Sequence, residues 1–423
     1  MKITKISAII ISIFILLVLT PDLASKFQTE HQPVNQSVIT NLTVKLDTGD
    51  TYYPDLPQIH KDQVVWMAND GSDYEIYFWD HSFDLHNEAS KIIKISNNSY
   101  RDIKPKIHNG KVTWIGSKEQ NSQIYHWDGT YSINGTPSDP KMLSSYDYIA
   151  DEQAMFNSEV VWKGLNNLNQ TIYYWNGTYD FNAQPCGAVI ISDPSRRAYS
   201  PEINELMVVW REFDGRDYEI CCWDKTFYEN GRPTESKCTD GNYSAYYAKI
   251  SENKMVWQRS DAKDSEIFYW DGTFTSDGKI KEIQLSYNIY DDLNPQINKN
   301  IVVWSVDNNQ SIYYWDGKFN THGIPTNPIL ISNNTFGNPR ISESGIIWVG
   351  RYNNYYVIYY WDKSLKKDNL PSDPLIISNT EYDCSSPEIS GNNVVWLGRK
   401  NGNTTIYYLD LSLIKKFPDS LNS

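Results

Sequence analysis

An all-β fold built from eight small antiparallel sheets is predicted by three observations. The tripeptide Val64-Val65-Trp66 returns seven times, as Val112-Thr113-Trp114, Val160-Val161-Trp162, Val208-Val209-Trp210, Met255-Val256-Trp257, Val302-Val303-Trp304, Ile346-Ile347-Trp348 and Val394-Val395-Trp396, with steps of 48, 48, 48, 47, 47, 44 and 48 residues. A second marker follows each Trp. It reads Ile76-Tyr77-Phe78-Trp79-Asp80 in the first copy and Ile406-Tyr407-Tyr408-Leu409-Asp410 in the last, and the two markers use all 15 Trp residues. Between them lie Asn, Asp and Gly clusters such as Asn69-Asp70-Gly71-Ser72-Asp73, and no helical periodicity lasts beyond a turn or two. A period in this range marks a repeat architecture, in which the copies form one continuous body.

One copy reads as four strands. Pro57 to His60 is a short extended piece, Gln63 to Met67 a β-branched run, Tyr74 to Trp79 an aromatic run, and Lys91 to Ser96 an alternating run. The two inner runs are apolar on both faces, so both faces must be covered. Stacking each four-stranded sheet on the next around an axis does this, which is the eight-bladed β-propeller. The last copy ends after three strands. The segment Asn41 to Leu46 aligns with Ile92 to Ser96 by its distance to the next Pro-x-Ile, so it is expected to complete the last blade and close the ring without a free edge. The organisation read from the chain is an export segment over 1–25, a linker over 26–40, one propeller domain over 41–410 and a polar tail over 411–423.

Bulk properties narrow the function. Net charge is −14 with no Lys/Arg block in the body, which opposes binding to nucleic acid. Lys2 and Lys5 precede an apolar run of 14 residues, Ile6 to Leu19, with small residues Ala24 and Ser25 beyond. That length suits a signal peptide, and an uncleaved N-terminal anchor is the alternative and the one route to a membrane. The body is therefore expected outside the cytoplasm, secreted or at the cell surface. Ten Asn-x-Ser/Thr sequons, at Asn35, Asn41, Asn97, Asn134, Asn169, Asn176, Asn242, Asn309, Asn333 and Asn403, offer glycan sites in a host that has the transferase. Of five cysteines, Cys238 is paired with Cys222 or its neighbour Cys221 as the disulfide candidate within one repeat, taking Cys238 to occupy the place of Ile95.

The runs Val64 to Tyr77 and Val209 to Ile220, each an inner strand, an Asp-Gly-x-x-Asp turn and an Ile-containing strand, resemble the repeat of TolB-like propellers. The resemblance covers about residues 42 to 410 and implies a secreted or surface propeller. It does not carry TolB's own role, because the added N-terminal domain has no room here. The Gly-His pair of tryptophan–aspartate repeats, the quinone-docking pattern and the sialidase box are all missing from the sequence.

The repeated Trp residues sit at strand positions and are expected to pack blades together. A second recurring position lies between each outer strand and the next inner one. Tyr52, Tyr100, Tyr148, Tyr243, Tyr290 and Tyr382 hold one register there, with Arg196 in the fourth repeat and Phe336 displaced in the seventh. With neighbouring acids Asp55, Asp102, Asp147, Asp291, Asp292 and Asp383 they would line one face, a combination suited to sugar hydroxyls and cations; packing over the blade is the competing role. The turns at Asp70, Asp214 and Asp261 lack the dense oxygen spacing of a calcium loop and read as Asx turns, so no metal or cofactor is implied. Seven scattered His and no nucleophile elbow give catalysis little support. The reading is an extracytoplasmic binding or interaction module for an envelope polysaccharide or surface protein. A secreted glycan-degrading enzyme using two channel carboxylates and a structural surface-layer component are the alternatives.

Overall fold

The computed structural model describes residues 36–46, 49, 51–81, 92–119, 121–166, 169–260, 262–307, 310–333, 335–366 and 370–415. Residues 1–25, where an export segment is expected, residues 26–35 of the expected linker, residues 416–423, Asp261 of one expected turn, and the sequons at Asn35 and Asn309 lie outside them. Eight sheets of four antiparallel strands form the eight-bladed β-propeller. The first blade runs Tyr52–His60, Gln63–Asn69, Tyr74–Asp80 and Ile93–Lys94, from the innermost strand outward. The eighth runs Asp383–Ser390, Asn393–Lys400 and Asn403–Asp410, and its outermost strand is Val44–Leu46, paired as Val44 with Tyr408 and Leu46 with Ile406. The ring is thus closed by the N-terminal segment.

The closing segment differs from its sequence reading in extent. Only Val44–Leu46 is a strand, and Gln36–Leu42, read as linker and strand, is a helix. The tail likewise opens with a helix, Leu411–Lys415. Ile39, Leu411 and Ile414 are buried together beside the eighth blade. Alternation over six residues does not separate a strand from a helical turn followed by a strand; the apolar partners decide it.

Two aromatic systems explain the markers. The Trp of the first marker stacks on the third strand of its own blade, with ring centroids 6.0 Å apart for Trp66–Tyr77 and 5.8 Å for Trp162–Tyr173. The Trp of the second marker receives an aromatic edge from the preceding blade. The pairs are Phe78–Trp127 at 5.3 Å, Tyr174–Trp223 at 5.2 Å, Tyr269–Trp315 at 5.0 Å and Tyr314–Trp361 at 5.1 Å. Tyr408 of the last blade meets Trp79 of the first at 4.9 Å, so the belt crosses the closure. All 15 Trp are buried. Burial of a ring this size is worth about 3 kcal/mol or more, and the edge-to-face geometry adds to it.

Polar staples join the turns on the face opposite the outer-to-inner connections. Asn109 N–H donates to His60 Nδ1 at 3.0 Å, and Asn157 N–H to His108 Nδ1 at 3.0 Å. Both rings accept, which needs the neutral form. Burial lowers the His60 pKa to about 4, helped by the neighbouring His108, and burial also lowers that of His108. Across the closure, Lys61 N–H donates to Ser390 and Asn393 donates to the Lys61 carbonyl, at 2.8 and 2.9 Å.

The disulfide is Cys221–Cys238 and not Cys222–Cys238. Strand pairing sets Cys238 directly opposite Cys221, the register that Lys94 and Tyr77 share in the first blade, so Cys238 lies one residue short of the Ile95 place. Neighbours along a strand point to opposite faces. Cys222 is therefore turned into the seam with the fifth blade, among Val209, Ile220 and Trp257.

Candidate functional site: the tyrosine face and the channel

The start of each innermost strand, the turn between the second and third strands, and the connection from the preceding outer strand all lie on one face. Asn and Asp side chains shape it. Asp70 accepts from Ser72 N–H at 2.8 Å and Asp214 from Arg216 N–H at 2.7 Å, the Asx turns that the sequence suggests.

The tyrosine register divides. Tyr52 and Tyr243 are exposed, but the other four serve packing. Tyr100 lies over Gly116 and hydrogen-bonds Tyr125 at 2.9 Å. Tyr148 stacks on Tyr173 at 4.6 Å and accepts from the Trp162 indole at 3.2 Å, and burial pushes its hydroxyl up to about 12. Tyr290 packs on the core of the sixth blade, and Tyr382 is buried over Gly398 against Tyr407. The glycines admit the rings: a Cβ on Gly398 would lie 2.6 Å from both Tyr382 and Tyr407. In the fourth blade Arg196 pairs with Glu212 at 3.4 Å, and Phe336 meets Tyr356 edge-on at 4.9 Å.

Asp102 and Asp292 are also corrected. Both are fully buried and offer no carboxylate to the face. Asp292 accepts from the Trp304 indole at 2.7 Å, and Asp102 from Asn98 at 2.6 Å. Each sits at a seam beside a buried glutamate of the preceding blade, Glu266 and Glu75, which a Ser hydroxyl caps. Burial raises Glu266 to about 8, and the adjoining Asp292 adds to this; burial also raises Asp292 itself. Burial and then the Glu75 charge lift Asp102 to about 7, against the pull of its hydrogen bonds. At the equivalent seam of the fourth and fifth blades, Glu219 meets Arg259 at 3.0 Å instead.

Other exposed tyrosines lie near the predicted ones or in the turn at Tyr355, while Phe181, Phe227, Phe274 and Phe319 are exposed on the opposite face. Tyr53, Tyr146, Tyr287, Tyr355 and Tyr356 join Tyr52 and Tyr243 on this face, whereas Tyr247 lines the central channel and Tyr131 and Tyr228 are exposed on the opposite face. Asp147, Asp291 and Asp383 are exposed among them. The sequence shows a recurring Tyr but not which ring turns outward; the neighbouring glycine at 116, 164 or 398 is the signal that it turns in.

The second feature is the central channel, a cavity of about 580 Å³ lined by all eight innermost strands. Most of these strands carry a bulge, with residues such as Lys104, Glu152 and Asn294 in the left-handed region at φ of 53°, 54° and 54°. The bulge turns the next polar side chain toward the axis. Carboxylates there are paired. Glu202 bonds Lys249, Glu388 takes the Arg340 Nε on both oxygens at 2.9 Å, and Glu152 bonds Lys163.

No family model matches the chain, and no curated protein does. Solved structures do. The Dos1 propeller matches with TM-score 0.52 and 11% identity over 88% of this chain and 95% of its own. Prolyl oligopeptidase B from Galerina marginata matches with TM-score 0.52 and 11% identity over 90% of this chain and 60% of its own, so the likeness spans part of that enzyme. The propeller domain of the Trilobed protease from Pyrococcus furiosus, described as having an open velcro topology, matches with TM-score 0.48 and 11% identity over 78% of this chain and 99% of its own. At these identities the likeness to the first two establishes the β-propeller class.

Proposed function

We propose that this propeller is a binding and interaction module of the cell envelope, of the secreted TolB-like type, which meets a surface polysaccharide or an envelope protein through its tyrosine face. The observation that carries the reading is the sorting of exposed tyrosines: among the described residues seven of the ten lie on one face, with the exposed acids Asp147, Asp291 and Asp383 between them. Tyrosine offers a flat apolar surface with a hydroxyl at its tip, the pairing that sugar rings and protein hot spots both use. The channel carboxylates are held in ion pairs, which opposes their use as a glycosidase acid and nucleophile.

The test is a glycan array and an envelope-protein pull-down with the wild type and with the pair Tyr146→Ala and Tyr287→Ala. Both side chains are exposed, so the pair leaves the melting temperature in place and lowers binding. Binding that is unchanged in the variant, or absent from both assays in the wild type, contradicts the reading.

A further inference from the structure

The innermost strands set one residue per blade at the same level of the channel, each opposite the second residue of the first marker. In blade order these are Gln58, Lys106, Ala154 and Glu202, followed by Lys249, Gln296, Arg340 and Glu388. Adjacent blades pair their charges: Glu202 with Lys249, and Arg340 with Glu388. Glu152, the third carboxylate of the wall, is held by Lys163 and by the Ser200 N–H at 2.6 Å. Each of the three acids therefore has its own base. Lys106 does not have an acid. Among the described residues its Nζ meets the Gln58 amide oxygen at 3.1 Å and no carboxylate within ion-pair distance.

Ala154 stands next to Lys106 on the ring, where every other blade places a longer side chain. The result is a gap in the ring of side chains beside an ammonium that has no carboxylate in direct contact, Glu202 and Glu388 acting on it only from a distance. We propose that the channel is an anion-binding site in which Lys106 receives one carboxylate or phosphate group of a small ligand in the gap left by Ala154.

Three considerations support it. A cavity of about 580 Å³ is of the size that takes small ligands. An ammonium away from bulk water is costly unless it gains a counter-charge, so an entering anion recovers Coulomb energy that a neutral molecule would not. The chain carries net charge −14, so its outer surface offers anions no general attraction, and selectivity rests on this one position. Burial lowers the Lys106 pKa; the charges of Glu202 and Glu388 across the channel oppose this, Lys249 and Arg340 add to it, and an anion beside Lys106 would reverse the net direction. Binding is therefore coupled to proton uptake where the pH lies near the Lys106 pKa. The site goes beyond the proposed glycan or protein contact at the tyrosine face and does not depend on it.

The experiment uses the full chain and two probes, inorganic phosphate and succinate. Each is titrated by calorimetry against chloride at matched ionic strength, alongside melting curves. Saturable binding of at least one probe is expected, with a rise in melting temperature. Lys106→Met removes the charge and Ala154→Leu fills the gap, and each weakens binding by roughly thirtyfold or more. Lys279→Met, which breaks an exposed ion pair with Asp240, leaves it unchanged. Response to phosphate alone assigns a phosphoryl ligand, and response to succinate alone a carboxylate. Lys106→Met is also expected to melt above the wild type without ligand, since it removes an unpaired charge. No binding of either probe, or equal binding by wild type and Ala154→Leu, overturns the proposal.

Discussion

Asp292 shows how one side chain can belong to the architecture while sharing a register with surface residues. Its carboxylate holds the Trp304 indole and adjoins Glu266 across the seam, where burial keeps a proton on the pair up to about pH 8. In the unfolded chain both carboxyls ionise near pH 4. Between those limits the pair binds more protons in the folded chain than in the unfolded one, so its contribution to stability is greatest at low pH and falls as pH rises to about 8. Asp102, raised to about 7, adds to the same slope. Below about pH 6.5 the buried histidines, whose pKa is lowered, oppose this slope, so melting temperatures are expected to decline from about pH 7 to about 9, and Asp292→Asn should flatten the decline. A flat wild-type profile, or an unchanged slope in the variant, would contradict this assignment. The cysteines give a second residue-scale prediction. Under denaturing, non-reducing conditions three thiols should titrate, Cys186, Cys222 and Cys384, and five after reduction. Loss of the bridge in Cys238→Ser, whose ends lie 17 residues apart, should cost about 3 kcal/mol in a denaturant melt.

At the scale of the blade, packing runs through rings and the gaps that admit them. Gly398 faces Tyr382 and Tyr407 at distances that leave no room for a methyl group. Gly398→Ala is expected to lose about 1–3 kcal/mol, read from chemical denaturation. Trp315→Ala removes the ring that Tyr269 meets at the seam and should lose about 3–5 kcal/mol by the same measurement. Much of this was legible in the sequence. The two markers gave the second and third strands of every blade, because apolar runs covered on both faces leave few architectures. The innermost strand was read too short, since it begins at Tyr52 and passes through bulges that break simple alternation. Facing was less legible. Whether Tyr100 or Tyr146 turns outward depends on Gly116 beneath one ring and open space beside the other, a tertiary fact that no local pattern carries. The disulfide partner stayed open between Cys221 and Cys222 for the same reason, because a one-residue offset in pairing changes which neighbour faces Cys238.

At the scale of the molecule, the closed ring is what gathers seven exposed tyrosines onto one face and eight side chains onto one level of the channel. The face and the channel arise from the same repetition, but their chemistry lies in departures from it, such as Ala154 and Lys106, and departures are where a repeat sequence says least. The closure itself rests on Val44–Leu46 pairing with the last blade, on Tyr408 meeting Trp79, and on the contacts of Lys61 with Ser390 and Asn393. Its most direct test is hydrogen exchange over Asn403–Asp410, followed by mass spectrometry, in the full chain and in a chain lacking residues 36–46. A closed ring predicts strong protection of that strand in the full chain, and in the shortened chain loss of protection together with a lower melting temperature. Equal protection and equal melting in the two chains would contradict the closed ring.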